Sequence, residues 1–94
     1  MAEPFQNLMA VLLQRKGDPR PGSYTARLLA EGEDEIVKKI GEEAIEIILA
    51  AKGQGDQRLL EETADLIYHL SVLLLARDLG WADVERVLAQ RAGR

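Results

Sequence analysis

The sequence predicts an all-α protein, a helical bundle with two long antiparallel helices, assembled as a homodimer. Three observations carry that expectation. Apolar residues recur at helical spacing along almost the whole chain, and no stretch shows the strict alternation of a half-buried strand. Glycine and proline interrupt the pattern at short intervals, which marks short loops between helices. One segment is apolar around most of its circumference, and a single chain of 94 residues offers too few neighbours to cover it.

The elements follow in order. Pro4 suits a first helical turn, and Phe5, Leu8, Met9, Leu12 and Leu13 form a one-sided stripe that stops by Gly17. Residues 17–22, with two prolines and two glycines, read as a loop. Ser23 or Thr25 then caps a short helix through Leu28 and Leu29, broken at Gly32. A first long helix is expected from about Glu33 to Lys52, with Ile36, Ile40, Ala44, Ile47, Ile48 and Ala51 on one face. Gly53, Gln54, Gly55 and Asp56 form a tight turn. A second long helix is expected from about Gln57 to Leu79, ended by Gly80. On it Leu60, Ala64, Ile67, Ser71 and Leu74 share one face, while Leu66, Leu70, Leu73 and Leu75 spread apolar character further round. A last, shorter helix turns Val84, Val87 and Leu88 toward the core and carries a basic tail from Arg86 to Arg94. Nothing repeats, so residues 1–94 are expected to form a single domain.

Composition excludes several classes of function. A net charge of −4 without a basic patch argues against nucleic acid and anionic membranes as partners, because either would require a cationic surface. The absence of cysteine rules out disulfides, thiol catalysis and zinc-finger sites. There is no apolar stretch of membrane-spanning length and no N-terminal signal pattern, so the expected compartment is the cytoplasm.

The chemistry concentrates in acidic residues. Glu42, Glu43 and Glu46 lie in GEEAIE on the first long helix, and Glu62 and Asp65 lie in EETAD on the second, beside Glu61. ExxE and ExxD spacing places each pair on one side of a helix, one turn apart. Glu43 falls inside the apolar stripe of its helix, and Glu62, Asp65 and His69 form a lone polar stripe on an otherwise apolar one. Two carboxylates about 4 Å apart repel by roughly 4 kcal/mol at an effective dielectric near 20. Buried together they require a cation or basic side chains. Mg²⁺ is the expected cofactor, and Mn²⁺ also suits a cage of oxygen donors. His69 has a supporting role, with Asp65 one turn earlier holding its ring. The bland alternative is a set of solvated ion pairs such as Glu35 with Lys39 or Glu42 with Lys38.

The runs SYTARLL (residues 23–29), KKIGEEAIEIILAAK (38–52) and EETADLIYHLSVLL (61–74) resemble the phosphoribosyl-ATP pyrophosphohydrolases of histidine biosynthesis, within the MazG-like all-α pyrophosphohydrolase superfamily. The paired acidic motifs are common to the superfamily, whereas SYTARLL and the DLIYHL run are more particular to this family. The resemblance implies a helical homodimer that converts N1-(5-phosphoribosyl)-ATP to phosphoribosyl-AMP and pyrophosphate. It assigns the metal to Glu43, Glu46, Glu62 and Asp65. Glu42 is then a candidate for an outer-shell or general-base role, and Lys39 a candidate for neutralising charge on the leaving pyrophosphate. Ser23, Tyr24, Thr25, Arg27 and Lys38 are candidates for binding substrate oxygens. Plain N-capping is an equally good role for Ser23 and Thr25, and Tyr24 suits a core aromatic. The cyclohydrolase domain to which this family is often fused has no counterpart here, so the following reaction is expected on a separate protein.

Two other readings fit part of the pattern. A MazG-like enzyme acting on other nucleoside triphosphates would share the acidic residues without needing SYTARLL. A non-catalytic helical dimerisation module would use its acidic stripe against a basic partner.

Overall fold

The computed structural model describes residues 4–17 and 23–93, which form five helices and no strand: α1 (Pro4–Gly17), α2 (Tyr24–Glu31), α3 (Glu33–Gly53), α4 (Asp56–Ala76) and α5 (Trp81–Ala92). The expected loop over residues 18–22, the packing of Phe5 and the terminal Arg94 lie outside the described residues. None of the described helices is long and apolar enough to cross a membrane.

Local chemistry sets most of the boundaries. The Ser23 hydroxyl accepts from the Ala26 N–H at 3.2 Å and caps α2, so of the two capping candidates it is Ser23 that acts. Gly32 has φ +100° and Gly55 φ +87°, backbone that a side chain would strain. Gly32 separates α2 from α3, and Gly55 lets α4 begin after a link of two residues.

The end of α4 differs from expectation. The helix stops at Ala76, three residues before Leu79, because Asp78 takes a left-handed φ of +58°. The Asp78 N–H donates to the Leu75 carbonyl and the Leu79 N–H to that of Leu74, a Schellman stop with aspartate in the usual glycine position. Lys16 of α1 holds Asp78 there, with its ammonium 2.7 Å from the carboxylate and 3.0 Å from the Leu75 carbonyl. Gly80 instead opens α5, its N–H donating to the Asp83 carboxylate at 2.8 Å.

Leu12, Leu28, Ile36, Val72 and Leu75 form the buried core, so α1 to α4 each contribute to it. Fully burying such side chains stabilises by about 1.5–3 kcal/mol each. The α3–α4 interface is the most extensive, and Glu33 at the start of α3 receives a two-pronged hydrogen bond from Arg77 just after α4, one prong at 2.9 Å. On α3 the inward line is Ile36, Ile40, Glu43, Ile47 and Ala50, a narrow seam against α4. The wider stripe read from sequence is therefore corrected: Ala44, Ile48 and Ala51 lie exposed beside it. Leu13 is likewise exposed, next to the buried Leu12.

Helix α5 also departs from expectation. Val84 is half-buried, but Val87 and Leu88 are exposed. The helix is anchored at its first turn, where the Trp81 indole N–H donates to the buried Ser71 hydroxyl at 2.8 Å, and the other helices offer little surface to its later turns.

Candidate metal and substrate site

Glu43 occupies the middle of the inward line of α3 and meets the polar stripe of α4. One carboxylate oxygen from each of Glu43, Glu62 and Asp65 lies within 4.8 Å of the others. Glu62 is 4% exposed, Glu43 half-buried and Asp65 exposed, so the group runs from the interface to solvent. Glu46 is half-buried one turn along α3, outside this group of three.

His69 organises the inner end. Its Nδ1 lies 3.0 Å from the Asp65 carbonyl, and its Nε2 lies 2.9 Å from the Tyr24 hydroxyl. A carbonyl only accepts, so Nδ1 carries the proton, and in the neutral ring Nε2 accepts from tyrosine. Asp65 therefore orients His69 through its backbone rather than through its carboxylate. The Glu43 Oε1 atom lies against the same Nδ1 edge, yet it is buried and receives no hydrogen bond from a described residue. A proton directed at the Asp65 carbonyl is unavailable to Glu43, which reconciles the close contact with the missing hydrogen bond.

That orphaned oxygen tests the fit of a cation. A buried carboxylate oxygen without a donor is costly, and a hard divalent ion would satisfy it alongside Glu62 and Asp65. The donor set is all oxygen, as Mg²⁺ and Mn²⁺ prefer. Burial pushes the Glu43 pKa up, the His69 ring opposes this, and the charges of Asp65, Glu62 and Glu42 add to the rise. Like charges thus crowd around a carboxylate that is itself partly desolvated.

Basic groups surround the cluster unevenly. Arg58, one turn before Glu62, places Nη2 2.8 Å from Glu62 Oε1 and Nη1 3.2 Å from Glu61 Oε1. Lys39 is half-buried, with its ammonium 3.7 Å from exposed Glu42, while Lys38 is exposed. Tyr24 lies among these charges. Burial raises its pKa, Lys39 opposes, Tyr68 and Glu43 raise it further, and Arg27 lowers it. The Arg27 guanidinium stands 5.2 Å from the Tyr24 ring centroid.

The α2 candidates divide accordingly. Tyr24 reaches His69 beside the acidic group and Arg27 stands against the Tyr24 ring and pairs with Glu31 at 3.9 Å, whereas the Ser23 hydroxyl is engaged as a cap and Thr25 is buried in a hydrogen bond with the Tyr68 hydroxyl. Tyr68 stacks near Tyr24, with centroids 6.0 Å apart, and meets His69 edge-on. Sequence reasoning missed Arg58 and Tyr68. The i, i+4 spacing of Arg58 to Glu62 was a usable signal, but nothing local connected Tyr68 to Thr25.

Comparison with known proteins gives a consistent picture. Residues 5–92 match the family described as phosphoribosyl-ATP pyrophosphohydrolase. A phosphoribosyl-ATP pyrophosphatase of Lactiplantibacillus plantarum is 46% identical over 90 residues, spanning 96% of this chain and 85% of the relative. Another, from Trichlorobacter lovleyi, is 51% identical over 86 residues, spanning 87% of this chain and 80% of the relative. The histidine biosynthesis bifunctional protein HisIE of Gloeobacter violaceus is 48% identical over 90 residues, covering 96% of this chain and 40% of that protein.

Proposed function

The chain belongs to the phosphoribosyl-ATP pyrophosphohydrolase family, and from that membership we propose that it hydrolyses N1-(5-phosphoribosyl)-ATP to phosphoribosyl-AMP and pyrophosphate. This is the second step of histidine biosynthesis, carried out with Mg²⁺ by residues 1–94 acting as one domain. The observation that carries the reading is the convergence of Glu43, Glu62 and Asp65, with Glu43 Oε1 buried and lacking a hydrogen-bond donor.

In this reading Glu43, Glu62 and Asp65 hold the cation, joined by Glu46 from the next turn of α3. When bound, the divalent ion neutralises phosphate oxygens and lowers the pKa of an attacking water. The protein's own groups do the rest by positioning and charge. Exposed Glu42 is the proposed general base. Lys39, already balancing Glu42 and acting on Tyr24, neutralises charge gathering on the leaving pyrophosphate. Arg27 and Lys38 supply cationic contacts from the rim, and Tyr24 offers its hydroxyl and ring. Ser23 contributes by holding the free N–H groups at the start of α2 in place, and Thr25 by fixing Tyr68 beside Tyr24.

We also propose that α3 and α4 run antiparallel and that two copies associate. The two-residue link at one end and the Glu33–Arg77 pair at the other support the first. Exposed Ile45, Ile48 and Leu49 on α3 and Leu60 on α4 support the second, because large apolar side chains left in water favour burial in an interface.

The deciding experiment measures pyrophosphate release by the purified protein from phosphoribosyl-ATP, ATP, dUTP and dCTP, with Mg²⁺ or with chelator. Release from phosphoribosyl-ATP alone, lost with chelator and in Glu43→Gln, is the expected result. Release only from the ordinary triphosphates overturns the substrate assignment, and release that persists with chelator overturns the metal.

A further inference from the structure

We infer that Arg58 is a positioning and tuning residue that weakens the affinity of the acidic cluster for divalent cations by holding a positive charge on Glu62. The inference rests on the metal reading proposed above and adds to it a residue which that reading leaves without a role.

Glu62 is the most buried of the three clustered carboxylates, and one of its two oxygens is engaged by the Arg58 guanidinium at 2.8 Å. The same guanidinium is braced from outside by Glu61 at 3.2 Å. Neither Glu43 nor Asp65 pairs with a lysine or arginine among the described residues, so Arg58 is the cationic side chain that enters the cluster from its own helix. Its own side chain is half exposed, which gives it a route to move without disturbing the core.

A cation that draws on Glu62 therefore has two arrangements open to it. It either takes the oxygen opposite Arg58 and feels a neighbouring guanidinium, or displaces Arg58 and breaks its ion pair with Glu62. Both weaken binding. A divalent ion and a unit charge about 6 Å apart repel, even in a water-like dielectric, by an energy equivalent to roughly tenfold in affinity. Arginine is suited to this because it keeps its charge at any working pH and spans two carboxylates with one planar group.

The test is titration of the wild-type protein, Arg58→Met and Arg58→Lys with Mn²⁺ alone, reading free Mn²⁺ by electron paramagnetic resonance. Arg58→Met is expected to bind Mn²⁺ roughly tenfold more tightly, and Arg58→Lys to stay near wild type because it keeps the charge. Equal or weaker binding by Arg58→Met overturns the inference, since Arg58 would then be neutral toward the ion or needed to shape Glu62. Arg58→Gln replaces the methionine variant should that one fail to fold by circular dichroism. Absence of Mn²⁺ binding by the wild-type protein and Arg58→Met alike overturns the metal reading itself, a result distinct from equal, measurable affinities.

Discussion

The Tyr24 hydroxyl and His69 Nε2 share a hydrogen bond of 2.9 Å, joining the first residue of α2 to the helix that carries Glu62 and Asp65. His69 in turn sits against Glu43 of α3. A single imidazole thus connects the proposed substrate-binding segment to the proposed metal ligands.

Replacing Tyr24 with Phe removes that hydrogen bond and leaves a buried ring nitrogen without its donor. The expected loss is about 1 kcal/mol of folding stability, read from the urea midpoint. Pyrophosphate release should fall as well, since His69 then has more freedom against Glu43. Unchanged stability and unchanged turnover together would rule out a working link.

Glu43→Gln separates stability from function. Glu43 is held in a partly dry pocket facing Glu62, Asp65 and His69 from α4, with Glu42 beside it. Glutamine removes the charge and brings an N–H₂ donor for the neighbouring carboxylates. With chelator present, the variant is expected to unfold at higher urea than the wild type. Pyrophosphate release is expected to drop by on the order of a hundredfold or more, the scale for losing one electrostatic contact to a transition state. A variant that is both less stable and fully active contradicts both expectations.

Asp78→Asn isolates the charge of the α4 stop, because asparagine also tolerates the left-handed region. The Lys16 hydrogen bond, followed by the Lys16 charge, holds the Asp78 pKa below its ordinary value. A depressed folded-state pKa means the carboxylate stabilises above the unfolded-state pKa and loses that contribution as pH falls through the folded-state value. The wild type is therefore expected to be more stable than Asp78→Asn at neutral pH, and the difference should close in acid. Thermal unfolding of both proteins across pH 2–7 makes the comparison. A gap that stays constant with pH assigns the effect to something other than the ion pair.

The apolar surface of α3 and α4 makes its own prediction. Ile48 is 57% exposed and Leu60 63% exposed. Ile48→Asp and Leu60→Asp are expected to shift sedimentation from dimer to monomer while keeping helical content. Wild-type protein sedimenting as a monomer at all concentrations would remove the reason for the exposed face.

Much of the candidate site was legible in the sequence because helical geometry is local. ExxE and ExxD spacing is enough to align carboxylates one turn apart, and the position of Glu43 within an apolar stripe was enough to turn it inward. The signal was weaker where a stripe is broad. Along α3 apolar and small residues cover more than one face, so periodicity could not choose the seam that α4 fills, and Ile48 was placed inside when it lies out.

The sequence by itself determined the helices, most of their stops and the clustering of acids on two of them, since each depends on residues within one or two turns. Only the tertiary structure decided that α4 stops at Ala76, because the left-handed turn at Asp78 that follows it is held by Lys16 from α1. It likewise decided that Thr25 turns to Tyr68 and that Tyr24, His69 and Glu43 meet. Those partners lie on different helices, and a periodic pattern records which face a residue occupies but not which face of another helix arrives opposite it.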